Sequence, residues 1–115
     1  MNIKVFDIVG EHAVTPDDGR ALYDLVHPAL VAGHKIELDF EGVKVFASPF
    51  FNAAIGRLLA GFTSDFLKSH VVFRGISLAG AESLQRAIEN AKEYFSNDVN
   101  RKAIDAAVNS HLIAA

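Results

Sequence analysis

From His34 to Phe46 the chain reads HKIELDFEGVKVF. Ile36, Leu38 and Phe40 alternate with Lys35, Glu37 and Asp39, the period of a strand with one face turned to a core. Glu41-Gly42 marks a turn or bulge, and Val43 and Val45 resume the alternation. Past Ser48 the period changes. Phe51, Ile55, Leu58, Leu59 and Phe62 fall on one helical stripe. A strand that runs straight into an amphipathic helix restricts the chain to layered α/β arrangements.

The flanking segments repeat this alternation. NIKVFDIV, residues 2–9, reads as a strand at or near a sheet edge. Thr15 as N-cap, Pro16 in the first turn and Asp17 and Asp18 behind it start a helix. Leu22, Leu25, Val26, Ala29 and Leu30 form its stripe, and Gly33 stops it. Pro28 removes a hydrogen bond inside that helix at a cost of about 3 kcal/mol, so a kink or a break into two pieces is expected there. VVFRGI, residues 71–76, reads as a buried strand. Residues 79–95 read as a helix with Leu84, Ile88, Ala91 and Phe95 inward. A last helix starts at Asn97 or Asp98 and fades near Ser110. The order β, α, β, α, β, α, α predicts an α/β fold: a small mixed four- or five-stranded sheet packed against helices. Without a linker or repeat, residues 1–115 are expected to form a single domain.

Composition narrows the function. Half the residues are hydrophobic and 22% are charged, enough for a core. The net charge of −3, with no basic run, lacks the electrostatic footprint of a nucleic-acid binder. Cysteine is absent, which removes disulfides and thiolate chemistry. The opening MNIKVFDIVG does not read as a signal peptide, and no apolar run approaches the roughly 20 residues of a membrane span. A cytoplasmic protein is expected. His12, His27, His34, His70 and His111 show no metal-binding spacing, and no nucleophile-base set or phosphate loop accompanies them, so neither an enzyme nor a cofactor is expected.

The segment IELDFEGVKVFASPFFNAAIGRLL resembles the centre of STAS domains, the fold of sulphate-transporter and anti-sigma-factor-antagonist proteins. It is similar above all to small bacterial STAS-like proteins, in which a strand like LDFEGV precedes a Ser-x-Phe helix start. The resemblance spans roughly residues 14–95, and residues 36–58 carry most of it. It implies a sheet with helices on one side and a regulatory role through protein partners. In anti-sigma-factor antagonists, a partner kinase with a histidine-kinase-type ATPase fold phosphorylates a serine in an Asp-Ser-Ser-Gly loop. Laid on that pattern, Ala47 takes the aspartate's place, Ser48 the first serine's, Pro49 the usual acceptor's and Phe50 the glycine's. The usual acceptor position therefore carries no hydroxyl, and a one-residue shift would give Ser48 that role.

The residues themselves leave two readings of this loop. Ser followed by Pro is a helix-start pair, which makes Ser48 an N-cap worth about 1 kcal/mol. The same hydroxyl is also placed to be modified or read by a partner, with Phe50 and Asn52 beside it. If Phe51 points inward, Phe50 is either partly exposed as a contact or folded under the preceding loop. The alternative function is a small ligand-binding or enzymatic domain that uses the carboxyl edge of the sheet, with Asp39 and Ser77 as a polar cleft. In that reading the backbone amides of GISLAGAES, residues 75–83, cradle an anion. Self-association through Val99, Ala103, Ile104 and Ala107 is a third route.

Overall fold

A computed structural model describes residues 1–96. The elements run β1 (Asn2–Lys4), α1 (Phe6–Val9), β2 (His12–Ala13), α2 (Pro16–Val31), β3 (Ile36–Asp39), β4 (Val45–Phe46) and α3 (Ser48–Ala54). A 3₁₀ segment (Gly56–Ala60), α4 (Ser64–His70), β5 (Val71–Arg74) and α5 (Leu78–Ser96) follow. The expected last helix, with the apolar face assigned to self-association, lies outside the described residues.

The fold is mixed α/β, and among the described residues the strands do not join one sheet of four or five. They form two parallel sheets, one of three strands in the order β1-β3-β5 and one of two, β2-β4. The chain leaves the larger sheet after Phe40. The Asp39 carboxylate accepts a hydrogen bond from the Glu41 N–H at 2.9 Å, and this local turn directs the backbone away from β3. β4 then pairs with β2, His12 opposite Val45 and Ala13 opposite Phe46. β2 has only two residues, too few to show a period.

Strand alternation is realised in β3. Ile36, Leu38 and the following Phe40 are buried, while Glu37 and Asp39 are half-buried. In the larger sheet, Ile3, Ile36, Leu38 and Val71 face the core, while Asn2, Lys4, Val72 and Arg74 are exposed. The polar face is tied across all three strands. The Asn2 side-chain amide donates to one Glu37 carboxylate oxygen, and Arg74 pairs with the other at 2.8 Å. β5, expected as a buried strand, is an edge strand buried on one face only.

Three other expectations change. NIKVFDIV does not stay extended: Val5 turns helical, and its carbonyl accepts from the Ile8 and Val9 amides. α2 runs through Pro28 without breaking. Pro28 lies in the last turn on an exposed position, where one missing hydrogen bond leaves the buried stripe Leu22, Val26 and Leu30 intact. The stripe after Ser48 does not form one helix: Phe51 lies in α3, Leu58 and Leu59 in the 3₁₀ segment, and Ile55 and Phe62 in the connections, with Gly56, Gly61 and the N-cap Thr63 at the breaks.

Candidate functional site

The start of α3 is fixed from two directions. Upstream, the Ala47 N–H donates to the Ala13 carbonyl at 3.0 Å, so the β2-β4 pair sets where the loop ends. Downstream, α3 packs against α2 at Gly19. A Cβ at Gly19 would collide with the Phe50 carbonyl oxygen and stand 2.9 Å from the Ala53 Cβ. Only glycine permits this approach.

α3 is wedged between α2 and the aromatic core, which explains how two adjacent phenylalanines are both fully buried. Phe51 sits 5.9 Å, ring to ring, from both Phe40 and Phe46. Phe50 meets Phe51 edge-on at 5.2 Å. The partly exposed Phe50 is thus corrected: with no exposed surface, it anchors the loop and offers no direct partner contact.

Ser48 is corrected as well. The extended residue before the helix is Ala47 (φ −142°, ψ 150°), so Ala47 occupies the N-cap position and no side-chain cap bond forms. Ser48 and Pro49 are the first two helical residues. Ser48 is half-buried, and its hydroxyl makes no hydrogen bond within the described residues. Pro49 and Asn52 are exposed on the outer side of the same turn. Val45, placed inward by the strand alternation, is 45% exposed. A two-residue strand gives too short a pattern to have assigned that side chain from sequence.

Asp39 and Ser77 both lie at the carboxyl ends of the larger sheet, and both are engaged locally. Asp39 holds the Glu41 amide. Ser77 caps α5, its hydroxyl accepting from the Gly80 N–H at 3.1 Å and its carbonyl from Ala81. Gly75, at φ +66°, closes the space between them and the turn: a Cβ there would lie 2.9 Å from the Glu41 nitrogen and 3.1 Å from the Asp39 Oδ1. The geometry spends both polar groups on turns and caps, and the GISLAGAES amides begin a capped helix. Among the described residues, no group of three or more His, Asp or Glu is placed to hold a metal ion. No helix among them is long and apolar enough to cross a membrane.

A family model described as a STAS-like domain of unknown function (DUF4325) matches residues 18–81, more than half of the chain. The chain belongs to this family. The match to the STAS-like domain begins in the first turn of α2 and ends in the first turn of α5. It contains the whole of β3, β4, α3, α4 and β5, and with them the loop around Ser48. No curated protein and no solved structure matches the chain.

Proposed function

We propose that this STAS-like domain is a non-enzymatic regulatory module that binds a protein partner through residues 47–52. The observation that carries this reading is the Ser48 hydroxyl. Among the described residues it makes no hydrogen bond, and it sits on a helical turn anchored from beneath by the buried Phe50 and Phe51, with Pro49 and Asn52 exposed on the same turn. A rigid backbone that presents an uncommitted polar group suits recognition, because little order is lost on binding. Phe50 acts as a support, while Ser48 and Asn52 supply the contacts. The partner class suggested by the family resemblance is a kinase with a histidine-kinase-type ATPase fold, working in the bacterial cytoplasm.

Affinity capture of the tagged full chain from its own cells tests this, with Ser48→Ala and Ser48→Asp in parallel. The expected result is one ATPase-type protein held by the unaltered chain and by Ser48→Ala, and lost with Ser48→Asp. Capture that is the same for all three forms would remove Ser48 from the interface.

A further inference from the structure

A groove of about 220 Å³ lies between α4, the 3₁₀ segment, α5 and β5. Its walls include Leu58 and Val71, both buried, and Leu67, Phe73 and Ile88, all half-buried. For scale, an apolar cavity of about 150 Å³ is enough to hold benzene. The lining is apolar except for Ser64 and Lys68. These two are one turn apart on α4, so they share a rim. Lys68 is exposed and forms no ion pair with a carboxylate among the described residues. The groove reaches β5 at Val71 and Phe73, and neither Asp39 nor Ser77 lines it. It is separate from residues 47–52 as well.

An apolar trough with one ammonium and one hydroxyl on the same rim is complementary to a single chemistry. We infer that the groove binds a small amphiphile, its hydrocarbon tail against Leu58, Val71 and Ile88 and its anionic head on Lys68 and Ser64. Tail burial supplies affinity, and the ammonium selects the head. The site does not depend on the partner-binding reading of α3.

The test is a methyl-resolved NMR titration of the full chain with sodium octanoate, 1-octanol and n-octylamine. Octanoate is expected to shift the Leu58, Leu67, Val71 and Ile88 methyls and to bind about tenfold more tightly than the other two. Lys68→Gln, a surface change that leaves the fold intact, should bring octanoate down to the level of 1-octanol. Ile88→Trp, which fills the groove, should abolish all shifts. Three results would overturn the inference: unmoved groove methyls, equal binding of octanoate and octylamine, or contacts from residues 97–115 already filling the groove.

Discussion

Gly19 illustrates how much one absent side chain decides. In an ordinary helix Gly→Ala stabilises by about 1 kcal/mol. Here the methyl would meet the α3 backbone at Phe50, so the sign reverses. Gly19→Ala should destabilise by about 1–3 kcal/mol in urea unfolding, the range for overpacked contacts. A similar contrast separates two hydroxyls. Thr15 accepts from the Asp18 N–H at 3.1 Å, and Thr15→Ala should cost about 1 kcal/mol. Ser48 caps nothing, so Ser48→Ala should stay within about 0.5 kcal/mol. Both serine and threonine precede proline in the sequence, and only backbone geometry distinguishes them. Thr15 is extended and outside its helix, whereas Ser48 is already inside. That one-residue difference could not be read from a Ser-Pro pair.

At the scale of elements, long periodic segments were legible and short ones were not. β3, α2 and α5 carry enough turns or alternations for the apolar pattern to decide, and Thr15 and Gly33 mark the ends of α2. β2 and β4 have two residues each and depend on pairing with one another, which no local pattern encodes. The choice between an exposed and a buried Phe50 stayed open for a related reason. A helix packed on one side buries one stripe, but α3 is covered by α2 on one flank and by the aromatic core on another. Position 50 became core through its neighbours, not through its spacing. Phe50→Ala should therefore cost about 3–5 kcal/mol in thermal or urea unfolding. A loss below 1 kcal/mol would return Phe50 to the surface.

For the whole molecule, the two sheets divide the labour. The three-stranded sheet holds the core on one face and leaves a polar face outside, stitched by Asn2, Glu37 and Arg74. This pairing is largely solvated, so Arg74→Ala should change stability by less than about 1 kcal/mol, with the difference shrinking in high salt. The two-stranded sheet adds Ala13 and Phe46 to the core and aims the start of α3 through the Ala13–Ala47 hydrogen bond. The STAS-like family was legible because its strand-to-helix segment is continuous in sequence. The separation into two sheets was not, since it follows from the Asp39 turn that leads the chain out of β3.

Amide hydrogen exchange of the full chain, alone and with the protein that affinity capture yields, tests the proposed role of the α3 start most directly. The account predicts slowed exchange confined to residues 47–52 and the adjoining β4, with Ser48→Asp erasing that protection. Protection centred elsewhere, or a footprint on residues 47–52 that Ser48→Asp leaves unchanged, would contradict it.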